Sequence, residues 1–275
     1  MGELVEGDDG LPAEDVGPWA KEKHEYLCRY VDISRGARGK FIGPSKAGAT
    51  YVDLFCGPGR AQVRKGEFID GSCVAAWKKS VEGGAPFSTV FIADKDETRL
   101  KAATERLKAA GAPVVAFHGA AIDTARMILN RLDQRGLHFT FLDPYNLGVL
   151  DFSIFSTLAN RKRMDILVHL SKMDLQRNLG RNVKADVSAF DAFAPDWKSV
   201  IDTAQGQQGI RVELINYWKS LIAGVGFEAS PEMKLLKGEQ EQHLYWLLLV
   251  AGHDLAHKFW KVAAKTDKQT AFDFS

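Results

Sequence analysis

No apolar run in this chain approaches the roughly 20 residues needed to span a bilayer. The opening Met1-Gly2-Glu3-Leu4-Val5-Glu6 has neither the basic stretch nor the apolar stretch of a secretory leader. Cysteine is scarce. Cys28, Cys56 and Cys73 are odd in number and too far apart for a CxxC metal pair, which argues against a disulfide framework and for reduced thiols in or near the core. These absences predict a soluble, cytoplasmic protein. Histidine shows no metal-ligand spacing beyond the i, i+4 pair His253 and His257, which has no acid or cysteine set beside it, so no metal site is expected. An excess of one charge sign is also lacking, because 36 Lys and Arg face 35 Asp and Glu.

That balance is unevenly distributed. Residues 1–18 carry six acids, Glu3, Glu6, Asp8, Asp9, Glu14 and Asp15, and no Lys or Arg. With Gly10, Pro12, Gly17 and Pro18 they read as an acidic, solvated or poorly ordered tail ahead of a single domain over 19–275. Masking of a basic surface is a second role open to such a tail. The remainder holds 36 basic against 29 acidic side chains, +7, a bias compatible with a nucleic-acid substrate without identifying one. At 275 residues, 45% of them apolar, the chain can bury a full core of one α/β domain.

Tyr26, Leu27, Tyr30, Val31 and Ile33 recur at helical spacing within residues 19–33. Residues 35–48, rich in Gly and Lys, read as a loop. Residues 50–55 form a short apolar strand broken by Gly57, Pro58 and Gly59, and a polar loop then leads to a helix over 72–79 with Ser72 placed to cap it. Strands at 89–93, 113–117, 138–142 and 165–170 alternate with helices at 97–110, 122–134 and about 152–160. Five strands joined by helices require crossover connections, so the predicted core is a mostly parallel, doubly wound, Rossmann-like α/β sheet. Residues 171–224 look mainly helical and read as an insertion capping the carboxyl edge of that sheet. Met233 to Lys237 and His243 to Ala251 flank a polar turn and predict an antiparallel hairpin. A parallel run closed by a late hairpin is the layout of class I methyltransferases. No internal repeat is visible.

The turn Asp53-Leu54-Phe55-Cys56-Gly57-Pro58-Gly59-Arg60 needs its glycines because the chain must bend sharply at the sheet's carboxyl edge and let a ligand approach its backbone. It predicts a nucleotide-like ligand or, more plainly, a tight strand-to-helix turn. Asp53 would accept hydrogen bonds from loop amides or meet the ligand's ammonium group. Phe91-Ile92-Ala93-Asp94, followed by Lys95 and Asp96, puts an acid at the end of the second strand, where a carboxylate can accept both ribose hydroxyls. N-capping of the next helix by Asp94 or Asp96 is the competing role. From Gly59 to Asp94 the spacing exceeds the roughly 20 residues of a dinucleotide fingerprint, which disfavours a nicotinamide cofactor.

At the end of the fourth strand, Phe141-Leu142-Asp143-Pro144-Tyr145-Asn146 joins a carboxylate, a rigid proline and an aromatic ring. Such a group holds a planar acceptor, Asp143 accepting from an amino or hydroxyl group while Tyr145 stacks, unless it only closes the strand. Arg161-Lys162-Arg163 suits either the phosphates of DNA or RNA or a solvated helix end. Trp246 and Trp260 read as core aromatics.

Lys21 to Tyr30, Tyr51 to Arg60, Phe68-Ile69-Asp70-Gly71-Ser72, Phe91 to Asp94, Phe141 to Tyr145 and Phe259-Trp260 together resemble the three-Cys-motif partner proteins, TcmP, over residues from about 19 to 264. That family is named for cysteines in a neighbouring protein, so the three cysteines here are unrelated to the name. The resemblance implies a methyltransferase-like fold and a radical-type iron–sulfur partner protein, with nucleic-acid modification, repair or defence as a context. Carried onto this sequence, it implies a cofactor loop of Asp53, Gly57, Gly59 and Arg60, an extra loop of Asp70, Gly71 and Ser72, a ribose acid at Asp94, and an acceptor-side pair Asp143 and Tyr145. Phe55 and Lys95 flank these positions and join the predicted set. The acid usual after the third strand is replaced by His118-Gly119-Ala120-Ala121, with Asp123 later; adenine is then expected against backbone groups near Gly119 or against His118.

Loop, Asp94 and late hairpin narrow the expected ligand to S-adenosylmethionine. Two functions follow. One is methyl transfer to an amino or hydroxyl acceptor, including a nucleic-acid base, which would have to be flipped out of a duplex. The other is a non-catalytic docking or substrate-recognition role for the iron–sulfur partner.

Overall fold

The protein is described here by a computed structural model covering residues 2–238 and 240–265. Two short strands, β1 (Leu4–Glu6) and β2 (Pro12–Val16), precede helices α1 (Trp19–Ile33) and α2 (Arg35–Gly39). β3 (Ala49–Asp53) is followed by β4 (Arg60–Val63), β5 (Phe68–Asp70), α3 (Ser72–Glu82), β6 (Thr89–Asp94), α4 (Glu97–Ala109), β7 (Val114–His118) and α5 (Ala121–Leu129). Then come β8 (Leu137–Leu142), α6 (Phe152–Leu158) and β9 (Met164–Ser171). Helices α7 (Lys172–Lys184), α8 (Phe190–Phe193), α9 (Trp197–Val200) and α10 (Gln207–Gly224) lead to β10 (Glu228–Lys237), β11 (His243–Ala251) and α11 (Asp254–Ala263).

Seven strands form one sheet in the order β10-β11-β9-β8-β3-β6-β7. β7, β6, β3, β8 and β9 run parallel, and β11 pairs antiparallel with both β9 and β10. This is the mostly parallel, doubly wound, Rossmann-like arrangement expected from the sequence, late hairpin included. The apolar strands explain it, because a parallel sheet is covered by helices on both faces and its residues alternate between two cores. Val52, Phe91, Ile166 and Val168 pack on one side with Trp197 and Trp218. Tyr51, Ile92, Phe141 and Leu167 pack on the other with Tyr26, Tyr30 and Trp260. The chain lays down β3, β6 and β7 outward, then returns to β8 and β9 on the opposite side. Strand order therefore reverses between β3 and β8, and the crevice at their carboxyl ends is where such sheets bind ligands.

The acidic N-terminal stretch differs from the solvated tail expected. β1 and β2 form an antiparallel hairpin, β2 pairs in parallel with β4, and β4 pairs with β5, giving a second sheet in the order β1-β2-β4-β5. The acids are partners of distant arginines: Asp8 meets Arg60 at 2.5 Å, Asp9 meets Arg106 at 2.6 Å and Glu14 meets Arg99 at 2.8 Å. Composition shows the charge of such a segment and not its partner.

Smaller differences have similar causes. Residues 35–39, expected in a loop, form α2, whose buried Arg38 donates to the carbonyls of Val31 and Ala85 at 2.7 and 2.6 Å. The polar stretch after the glycine turn contains β4 and β5. Gly71, not Ser72, caps α3, and the Ser72 hydroxyl donates instead to Asp53 at 2.6 Å. Residues 171–224 are largely helical, and α8 packs on the single 3-10 turn Leu147–Val149 that follows β8. Among the described residues, no helix is long and apolar enough to cross a membrane.

Candidate functional site

The β3–β8 crevice opens into a cavity of about 730 Å³. On one side runs the turn after β3, where Gly57 and Gly59 hold φ of +57° and +77°, a left-handed backbone that side chains disfavour. The turn is fastened to β6: Cys56 N donates to the Ala93 carbonyl at 3.0 Å and Gly57 N to Asp94 Oδ2 at 3.0 Å. Asp94 is buried and also accepts from Asp96 N at 2.9 Å. Burial pushes its carboxyl up, against the two backbone bonds that favour the charged form. Each oxygen takes one of these bonds, so acceptor capacity remains on both for a diol. Capping of α4 belongs to Asp96, which accepts from Thr98 N and Arg99 N at 2.9 and 3.1 Å.

Phe55, Gly57, Asp94, Lys95 and Gly119 line the cavity. The other residues expected to touch a cofactor are not part of its lining. Asp53 is fully buried and accepts from Ser72 Oγ at 2.6 Å, Tyr51 Oη at 3.1 Å and Phe55 N at 3.2 Å. Burial pushes its carboxyl up to about 7 despite these bonds. Gly71 N donates to the Gly59 carbonyl at 2.8 Å, and a Cβ on Gly71 would stand 2.8 Å from Gly59 Cα. These residues shape the turn from beneath. Arg60 is committed to Asp8 and, at 3.0 Å, to Asp70. His118 points its Nε2 to the Lys95 carbonyl at 3.0 Å and is exposed, outside the lining.

On the other side, three elements converge. Asp143 follows β8, Lys23 comes from α1 and His169 from β9. Lys23 Nζ binds Asp143 Oδ2, and His169 Nδ1 lies 2.7 Å from Asp143 Oδ1. Burial alone would raise the Asp143 carboxyl, but the Lys23 ammonium, with His169 beside the other oxygen, outweighs it and holds the group well below the usual carboxylate range. Burial lowers the His169 imidazole more than Asp143 raises it, which favours a neutral ring beside the carboxylate. The Tyr245 ring lies on the His169 ring with centroids 4.1 Å apart. Tyr145 stands at the mouth, with Lys95 Nζ 5.1 Å from its ring centroid, linking the two sides.

The basic triplet is elsewhere. Arg161 donates to the carbonyls of Leu129 and Leu132 at 2.7 and 3.3 Å, and Arg163 to that of Arg135 at 3.2 Å with its guanidinium over Phe41. Lys162 is exposed beside them. They precede β9, at the amino edge of the sheet, opposite the cavity. Conversely, Lys23, His169, Tyr245, Glu14 and Arg99 line the cavity without having been expected there. Two carried a signal: Lys23 sits on the stripe of Tyr26, Leu27 and Tyr30, and His169 interrupts the apolar run of β9.

No protein-family model and no curated protein sequence matches the chain. Among solved structures, an O-methyltransferase from Bacillus cereus in complex with SAH aligns at 17% identity over 88% of this chain and 85% of that one, TM-score 0.46. A putative O-methyltransferase from Klebsiella pneumoniae aligns at 15% over 88% and 84%, TM-score 0.47. TYW2 from M. jannaschii in complex with AdoMet aligns at 10% over 90% and 84%, TM-score 0.41. Likenesses this distant assign no function to the chain.

Proposed function

We propose that this protein binds S-adenosylmethionine in the cavity and transfers its methyl group to an amino or hydroxyl acceptor. The observation that supports this most is a single cavity at the strand-order reversal that has a left-handed glycine turn and Asp94 on one side and Asp143, His169 and Tyr245 on the other. Its volume of about 730 Å³ suits a nucleoside with a second group beside it. When bound, the cofactor supplies an electrophilic methyl on a sulfonium. Gly57 admits the ligand to the backbone, Asp94 accepts from the ribose hydroxyls, and Phe55 and Gly119 bound the base. Asp143, held by Lys23 and His169, accepts a hydrogen bond from the acceptor's N–H or O–H and so aims its lone pair at the methyl group. Tyr145 and Tyr245 flank a planar acceptor. Catalysis on this scheme is positioning and exclusion of water.

Titration calorimetry with S-adenosylmethionine and S-adenosylhomocysteine tests the proposal. Saturable binding of both is expected, and no heat of binding up to millimolar ligand would sink it. A nucleic-acid base as acceptor, and a radical-type iron–sulfur partner, enter as narrower proposals supported by the sequence resemblance. The second function, a non-catalytic recognition subunit for that partner, is favoured by one observation: both Asp143 oxygens are already held by side chains of the protein itself. Cofactor binding without turnover on any nucleic acid, together with a stable complex with the iron–sulfur protein, would decide for it.

A further inference from the structure

An S-adenosyl ligand ends in an α-ammonium group that needs an anionic acceptor, and the turn's own acid is not available to it. Asp53 is fully buried beneath the turn, already accepts from Ser72, Tyr51 and Phe55, and does not line the cavity. A different carboxylate reaches this end of the cavity. Glu14, on β2 of the N-terminal hairpin, lines it opposite Gly57, and a Cβ built on Gly57 would stand 3.4 Å from Glu14 Oε2.

Glu14 is held rather than free to swing. Its Oε1 accepts from Gly2 N at 2.7 Å and pairs with Arg99 Nη1 at 2.8 Å, and the Arg99 side chain is only 5% exposed. That grip turns Oε2 towards the glycine turn. Arg99 also lies 3.6 Å from Asp96, so two carboxylates share one guanidinium. The cluster carries a net negative charge at the cavity wall, which an incoming ammonium group would neutralise. Gly57, without a Cβ, leaves the gap between its backbone and Glu14 open.

We propose that Glu14 is the acceptor for the α-ammonium group of the S-adenosyl ligand, which makes the N-terminal hairpin part of the binding site. The assignment rests on the S-adenosylmethionine proposal above.

A cycle of two proteins and two ligands tests it: wild type and Glu14→Gln, each titrated with S-adenosylhomocysteine and with the desamino analogue that lacks only the ammonium group. Wild type should prefer S-adenosylhomocysteine by about 10- to 100-fold, the worth of one charge-assisted hydrogen bond. Glu14→Gln should lose that preference while binding the desamino analogue as wild type does. If Glu14→Gln retains the preference, or binds S-adenosylhomocysteine more tightly than wild type, Glu14 is not the acceptor. Should Glu14→Gln not fold, Glu14→Asp keeps the charge and the Arg99 pair but withdraws the carboxylate by one methylene; an undiminished preference there overturns the assignment equally. If wild type binds neither ligand, the S-adenosylmethionine proposal falls first and the role of Glu14 with it.

Discussion

His169 Nδ1 stands 2.7 Å from Asp143 Oδ1, tying the ends of the adjacent parallel strands β8 and β9 together, with Lys23 of α1 on the carboxylate's other oxygen. All three side chains are at least four-fifths buried, with exposures of 11% for Lys23, 19% for Asp143 and 4% for His169. Removing the shared carboxylate strands a buried ammonium group, a change that costs about 3–5 kcal/mol. Asp143→Asn should therefore lower the unfolding free energy from denaturant titration by that amount, and Lys23→Met in the same chain should restore most of it, because the two losses are not additive. At temperatures where Asp143→Asn stays folded, it should bind S-adenosylhomocysteine as wild type does. Its methyl transfer to a competent acceptor should slow about 100-fold or more. Equal midpoints for Asp143→Asn and wild type would show that Lys23 and Asp143 do not act as an ion pair in the folded protein.

Asp53 leads to a pH dependence of stability. Burial raises its carboxyl from 3.8 to about 7 in the folded protein, so between these values the folded state holds a proton that the unfolded state has released. The resulting stabilisation is fully present below about pH 4 and is lost as the pH rises through 7. Asp53→Asn removes this titration. Unfolding free energies of the two proteins from urea titrations between pH 4 and pH 8 should show wild type losing ground against Asp53→Asn by a few kcal/mol, at about 1.4 kcal/mol for each unit of pKa difference. A difference that does not change with pH would mean that Asp53 titrates normally in the folded protein.

The parallel core was legible because its strands are apolar on both faces and alternate with amphipathic helices, so period and order both survive in one dimension. Gly57, Asp94 and Asp143 were legible for a related reason: they sit at strand ends, where doubly wound sheets place chemistry. The partners were not legible. Arg60 looks like a cofactor residue until Asp8 is found beside it, and Arg106 pairs with Asp9, 97 residues away. Nothing in a local pattern reports such distant pairings. Asp53 shows a further limit, since the residue type was read correctly as anchoring loop amides, yet its burial beneath the turn excludes the alternative of touching ligand.

Gly71 and Gly84 separate close packing from backbone strain. Gly84 has φ of +68° but open space where a Cβ would go, whereas a Cβ on Gly71 would stand 2.7 Å from the Gly59 carbonyl carbon. Gly84→Ala should cost only the strain of a left-handed alanine, about 1 kcal/mol. Gly71→Ala must push α3 and the glycine turn apart, at about 1–3 kcal/mol of overpacking or more, and should weaken S-adenosylhomocysteine binding as well. Denaturant midpoints and calorimetry on both variants check this; a Gly71→Ala protein that binds normally would mean that the turn tolerates displacement.

Arg106 joins the N-terminal hairpin to the glycine turn after β3. Its guanidinium is buried, pairs with Asp9 at 2.6 Å, and donates to the carbonyls of Leu11, Pro12 and Pro58 at 3.0, 2.7 and 2.6 Å. Asp9, held mainly by that hydrogen bond, has its carboxyl lowered to about 2. Arg106→Met keeps the apolar stem and deletes every donor, leaving three carbonyls and a carboxylate without this partner, at a cost of about 3–5 kcal/mol. The cost should appear locally before it appears globally, because the hairpin's other ties to the main sheet are few compared with those between its own strands and β4. Backbone amides of residues 4–16 should exchange much faster in Arg106→Met, while those of β3, β6 and β8 keep their wild-type protection. If Glu14 delivers its carboxylate through this hairpin, the same variant should lose preference for S-adenosylhomocysteine over the desamino analogue in step with the lost protection. Unchanged exchange across residues 4–16 would show that β2–β4 pairing and the Arg60 and Arg99 ion pairs hold the hairpin without Arg106.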